Sequence, residues 1–107
     1  MKRILITLAY AATAVAGFAA ASPALADQAL ATAKNCMTCH AVDKKLVGPS
    51  FKDIGAKYSG QAGASDKLAA KVIKGGSGAW GPVPMPANPQ VSADEAKKLV
   101  DWILTQK

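Results

Sequence analysis

The stretch Cys36-Met37-Thr38-Cys39-His40 decides how this chain is read. It gathers both cysteines and the single histidine of 107 residues into five consecutive positions. A thioredoxin-like redox pair needs βαβ units around its C-x-x-C, and no part of this sequence shows strand alternation. A zinc site needs three or four ligands, and only one histidine exists. A plain disulfide is the usual fate of a cysteine pair in an oxidising compartment, but it gives the adjoining histidine nothing to do.

C-x-x-C-H is the covalent attachment pattern of a c-type haem. The spacing follows from the chemistry. Two thiols add across two vinyl groups on one haem edge, so they must lie about one helical turn apart. The next residue then aims its imidazole at the iron from the same side. On this reading Cys36 and Cys39 hold one haem c and His40 is an axial ligand.

Upstream of the motif the chain reads as an address. Met1-Lys2-Arg3 is positive, Ile4 to Ala21 is uncharged and mostly apolar, and Ser22-Pro23 breaks any helix. Ala24-Leu25-Ala26 is an A-x-A cleavage signature before Asp27. Charged start, apolar run and small-residue site are the three parts of a secretory signal peptide. Residues 1–26 are therefore expected to be cleaved after Ala26, leaving a periplasmic domain of residues 27–107. An uncleaved membrane anchor is the rival, since the run is just long enough to span a bilayer. Its alanine and threonine content and the adjoining cleavage site argue against stable membrane insertion.

The remaining 81 residues carry 11 lysines, no arginine and 7 acidic side chains, for a net charge of +4. Chains of this size bury little core and usually need a staple. A haem, with its large apolar faces, supplies one.

Downstream lies the candidate for the second axial position. His40 is the only histidine, so bis-histidine ligation within one chain is excluded. Met37 sits between the cysteines and cannot reach the opposite haem face. Met85 stands in Gly81-Pro82-Val83-Pro84-Met85-Pro86-Ala87-Asn88-Pro89. Prolines fix φ and stiffen this segment, which suits the presentation of a weak thioether ligand. A core gap-filling methionine, or an iron that is open or lysine-ligated, is the alternative. With both axial positions filled, oxygen, peroxide and substrate find no place, which argues for electron transfer and against catalysis. A haem-based sensor or peroxidase-like enzyme with a labile sixth ligand is the competing function, and a subunit held in a larger complex is a third.

A ligating histidine normally donates its other N–H to a carbonyl or carboxylate. The turn at Val47-Gly48-Pro49 offers the Pro49 carbonyl, although Gly-Pro also marks ordinary turns. Trp80 follows a glycine-rich stretch, and its indole N–H needs a partner if buried. A haem propionate and a plain core position both fit Trp80. Trp102 reads as packing.

Helical spacing and the lack of strand alternation give about four short helices. The first runs from Asp27 to about Asn35. The second covers Phe51 to Tyr58, with Phe51, Ile54 and Tyr58 at helical spacing. Ser65 caps the third, which turns Leu68, Val72 and Ile73 inward and stops at Gly75-Gly76. The fourth opens on the capping box Ser92-Ala93-Asp94-Glu95. Ala96, Leu99, Val100, Ile103 and Leu104 then trace one buried face.

Taken together, these motifs resemble the short bacterial class I cytochromes c, and within them the cytochrome c-551 group. The resemblance spans essentially all of residues 27–107. It rests on Cys36-Met37-Thr38-Cys39-His40, Val47-Gly48-Pro49, Gly60-Gln61-Ala62-Gly63-Ala64 and, most specifically, Gly78-Ala79-Trp80-Gly81-Pro82-Val83-Pro84-Met85-Pro86. It implies an all-α fold that wraps the four helices around one haem, thioether bonds at Cys36 and Cys39, axial His40 and Met85, and a Pro49 carbonyl accepting from His40. It also implies a Trp80 indole on a propionate and an Asn88 side chain near the Met85 sulfur. Lys71 stands where the group often has a propionate-binding arginine, keeping the charge but losing the two-pronged donor. Ala31 stands where the group tends to have phenylalanine, which predicts a weakly docked first helix. An extra residue near Pro89-Gln90 precedes the last helix.

The lysine excess fits a positive rim that steers an acidic redox partner, although most surface lysines simply solvate. Nucleic acid is a poor candidate partner, given the expected export and the lack of arginine or aromatic-basic interleaving in residues 27–107. The expected protein is a monomeric one-electron carrier. The resemblance implies that it passes electrons from a respiratory membrane complex to a terminal acceptor such as a nitrite reductase or an oxidase.

Overall fold

The computed structural model describes residues 11–14, 17 and 23–107. The expected address segment, residues 1–26, therefore lies largely outside the described residues, as does its apolar run. Four helices and one small hairpin follow one another: α1 (Pro23–Ala33), α2 (Phe51–Tyr58), α3 (Ala64–Lys74), β1 (Gly76–Gly78), β2 (Gly81–Met85) and α4 (Ala93–Ile103). No described helix is long and apolar enough to cross a membrane.

α1 begins four residues earlier than its spacing predicts, at Pro23 rather than Asp27. Proline suits a first helical position, where its missing N–H goes unused. The helix ends where Asn35 turns left-handed at φ 65°, a conformation that asparagine tolerates better than most residues. A single 3₁₀ turn, Cys36–Thr38, follows directly.

α2 starts because the Ser50 hydroxyl accepts from the Asp53 N–H at 3.0 Å. Its buried residues are Phe51, Gly55 and Tyr58, with Ile54 half-buried. Gly55 lets the helix lie against the chain end, since a Cβ there would fall 3.0 Å from the Ile103 carbonyl. α3 departs from expectation at its start. Gly63, not a side chain, occupies the cap position, and the Ser65 hydroxyl instead donates to Asp101 on α4. Leu68, Val72 and Ile73 are only half-buried.

The hairpin was not foreseen. β1 and β2 pair antiparallel, with Gly76 opposite Met85 and Gly78 opposite Gly81 and an irregular register between. Pro82, Pro84 and Pro86 occupy every second position, so the N–H groups of the paired residues Gly81 and Met85 stay available to β1. The fold remains mainly helical, and the two strands only fold back the segment that carries Met85.

α4 is the centre of the molecule and packs on α1, α2 and α3. Its capping box forms in full: Glu95 N–H donates to the Ser92 hydroxyl at 3.1 Å and Ser92 N–H donates to Glu95 Oε1 at 3.0 Å. Ala96, Leu99, Val100, Trp102 and Ile103 are buried. With Ala31, Phe51 and Val91, most of these make one apolar core. Leu104, expected on the same face, is the helix's C-cap residue. Ala31 is fully buried, and Met37 packs against the same cluster from the 3₁₀ turn. A small side chain on α1 thus coexists with a large one from the cysteine motif. Lys34 ties the two helices further, with Nζ 3.2 Å from Glu95 and donating to the Gln90 carbonyl at 3.1 Å.

Candidate functional site

The 3₁₀ turn sets the motif's geometry. Cys39 N–H and His40 N–H both bond the Cys36 carbonyl, at 3.2 and 3.0 Å. One tight turn therefore carries both sulfurs and the imidazole. Both thiols are free and half-buried. Burial pushes the Cys36 thiol up from its ordinary value, against a smaller opposing effect of a backbone hydrogen bond. Such a thiol stays protonated at neutral pH.

Three neighbours fix the His40 ring. Nδ1 lies 2.7 Å from the Pro49 carbonyl oxygen. A carbonyl can only accept, so Nδ1 carries the proton and Nε2 keeps its lone pair free for a metal. The ring stacks on Phe51, with centroids 5.2 Å apart and planes 20° from parallel. Gly48 closes over the third side. A Cβ there would fall 2.5 Å from Cε1 of His40, closer than atoms can approach. Phe51 is held edge-on by Trp102, at 5.4 Å and 74°. The Trp102 indole nitrogen is buried without a partner among the described residues.

Beside this turn opens a cleft of about 430 Å³. Its lining brings together Cys39, Pro49, Lys71, Trp80 and Met85, residues as far apart in sequence as 39 and 85. The prolines of β2 form much of the wall around Met85. A smaller apolar recess of about 80 Å³ continues inward between Ile54, Leu68, Val72, Val100 and Ile103, sharing Pro49, Lys71, Trp80 and Met85 with the outer cleft. This recess explains why α3 leaves Leu68 and Val72 half-buried: they face the cleft rather than another helix. Gly75 makes the turn beneath Met85, where a Cβ would lie 2.5 Å from the Met85 carbonyl.

Trp80 lines the cleft and is 42% exposed, which sets aside a core position for it. Asn88 stands off the cleft. Its Nδ2 donates to the carbonyls of Val72 and Pro86, at 2.9 and 3.2 Å, and its Oδ1 accepts from Gln90 at 3.2 Å. One of these bonds ties the loop to α3, the other closes the loop on itself, and neither is made to Met85. Lys45, one of the lysines that flank the motif in sequence, also lines the cleft, as does Asp53, which the sequence does not single out. Asp53 had a usable signal, three residues after the capping Ser50.

The donor set fits a haem c. Two free thiols one turn apart, an imidazole whose Nδ1 is held by a carbonyl, and a methionine that lines a mainly apolar cleft together with Cys39 suit that group, although Cys36 and His40 themselves do not line the cleft. A bare metal ion fits poorly, since the described residues contain no cluster of three or more His, Cys, Asp or Glu side chains able to hold one.

Comparison with known proteins agrees with this geometry. The cytochrome c family profile matches residues 24–107. Cytochrome c-551 of Azotobacter vinelandii is 64% identical over 74 residues, covering 69% of this chain and 89% of that protein. Cytochrome c-551 of Stutzerimonas stutzeri is 47% identical over 109 aligned residues, covering 100% of both chains. The crystal structure of wild-type Nitrosomonas europaea cytochrome c552 superposes with a TM-score of 0.73 at 51% identity, covering 75% of this chain and 99% of that one. The chain therefore belongs to the cytochrome c family, within the class I cytochrome c-551 group, whose members are small electron carriers.

Proposed function

We propose that this protein is a periplasmic one-electron carrier that binds one haem c through Cys36 and Cys39, with His40 and Met85 as axial ligands. The reading is supported above all by the His40–Pro49 hydrogen bond, which fixes the imidazole tautomer with Nε2 free beside two free thiols. Bound haem c supplies a one-electron iron couple at this site.

The chain's own residues do the rest. His40 is held rigid by Pro49, Phe51 and Gly48, so it need not move between oxidation states. Met85 offers a thioether from a stiff segment, which favours the reduced metal and raises the potential. Lys71 and the Trp80 indole serve the propionates, and Asn88 serves the fold of the Met85 loop. With two axial residues in place the protein carries electrons rather than catalysing a reaction. Lysines around the cleft, Lys45 among them, steer a transient partner with an acidic docking surface. The donor is a respiratory membrane complex, and the acceptor a terminal reductase such as a nitrite reductase, or an oxidase.

Visible spectra of the secreted protein test this reading. The expected result is a covalently bound haem, a weak red band from sulfur–ferric ligation, and slow carbon monoxide binding by the reduced form. Met85→Ala is expected to lose the band, bind carbon monoxide rapidly and lower the potential. Rapid carbon monoxide binding by the wild type, or an unchanged potential in the variant, overturns the Met85 assignment. N-terminal sequencing of the periplasmic fraction is expected to begin at Asp27.

A further inference from the structure

We propose that Lys57 is a positioning residue that holds Trp80, and with it the cleft wall of the hairpin, from the outside. The proposal rests on the carrier function above.

Lys57 sits in the last turn of α2. Its ammonium lies 4.5 Å from the centroid of the Trp80 ring and 5.3 Å from that of Tyr58. The same nitrogen donates to the Ala79 carbonyl at 3.1 Å. Tyr58, only 8% exposed, meets Trp80 edge to face at 6.5 Å and 67°. One ammonium thus grips both the backbone before Trp80 and the face of its ring.

The hairpin needs such a grip. Two strands alone are marginal in water, and this pair is short, with an irregular register. Gly78 and Gly81 flank Trp80 at φ 95° and 105°, conformations in which the backbone restrains the tryptophan least. Among the described residues, Lys57 makes the one side-chain hydrogen bond between a helix and residues 76–85. Cation–π attraction is strongest on tryptophan, so the contact selects both the position and the tilt of the ring. A fixed positive charge behind a cleft wall also favours the electron-rich state of whatever the cleft holds. Lys57 therefore acts on the electron-transfer centre through Trp80 and through its charge, without touching the centre.

The test uses the mature haem protein and three variants. Lys57→Met keeps the apolar stem and removes donor and charge. Lys57→Arg keeps both. Lys57→Gln keeps a donor without charge, and replaces Lys57→Met if that variant matures poorly. The expected results are a nuclear Overhauser contact between the Lys57 ε-methylene and the Trp80 ring in the reduced wild type, a lower midpoint potential in Lys57→Met, and recovery in Lys57→Arg. A residue that only stabilises the fold would move the denaturation midpoint and leave the potential alone. Absence of the contact, or a wild-type potential in the neutral variant with its haem spectrum intact, overturns the proposal. The carrier reading fails differently, by a wild type that takes up no covalent haem.

Discussion

Asn35 is the one described non-glycine residue with positive φ, and it stands immediately before Cys36. It ends α1 and swings the chain into the cysteine turn, so its backbone fixes where the motif begins. Left-handed backbone costs an ordinary L-residue about 1–2 kcal/mol, and asparagine less. Asn35→Ala is therefore expected to destabilise the haem protein by about 1 kcal/mol, and Asn35→Gly to leave it equal or slightly more stable. Denaturant midpoints check both. Glu95 works at two joints at once. The Ser92 backbone N–H, followed by the Lys34 side chain, holds its carboxyl below the usual carboxylate value. A carboxylate with a lowered folded-state pKa adds stability that is present above its unfolded value, about 4.3, and lost as pH falls through the folded one. Glu95→Gln keeps a capping side chain but no charge. Thermal midpoints of variant and wild type are expected to differ at pH 6 and to converge as the pH drops through the acid range.

Local elements were legible to the extent that their signals were local. The capping box of α4 and the Ser50–Asp53 start of α2 lie within four residues, so spacing alone revealed the first, and the second helix emerged with its expected bounds. The hairpin was hidden because Gly81-Pro82-Val83-Pro84 carries no polar–apolar alternation. Its strands exist to fold a stiff segment back, not to bury a face. The Ser65 cap misled because the serine had a better partner on α4, 36 residues away. Gly55 on α2 gives a prediction that runs against helix propensity. Gly→Ala inside a helix ordinarily gains about 1 kcal/mol. Here the new methyl would press on the Ile103 carbonyl at 3.0 Å and the Lys107 nitrogen at 3.3 Å, both backbone atoms that make room only if residues 103–107 shift as a segment. Overpacking of this kind costs about 1–3 kcal/mol. Gly55→Ala is expected to be destabilising, and a lowered thermal midpoint with an unchanged haem spectrum would place the damage at the contact between α2 and the chain end.

At the scale of the molecule, α1, α2 and α3 all pack on α4, and the apolar recess interrupts that packing between Ile54 of α2, Leu68 and Val72 of α3, and Val100 and Ile103 of α4. Leu68, Val72 and Met85 reach their full burial only against a group that fills that space. Replacing Cys36 and Cys39 together by alanine is expected to abolish haem attachment, and with it cooperative unfolding and most of the helical circular dichroism. A variant that keeps both would mean that the polypeptide core suffices alone. Of the cleft lining, the sequence singled out Cys39 through the covalent spacing of its motif, Pro49, Trp80 and Met85 through the chemistry and stiffness of their segments, and Lys71 through resemblance. It did not reveal Lys57, because a lysine over a ring 23 positions later is a product of the finished fold. The alternation of Pro82, Pro84 and Pro86 has a bearing beyond the haem as well. A two-stranded ribbon leaves an open edge, which invites another chain to add a strand and begin an aggregate. On β2 the N–H groups that would face outward belong to prolines and do not exist. The segment that must stay extended to present Met85 is thereby barred from templating its own polymerisation.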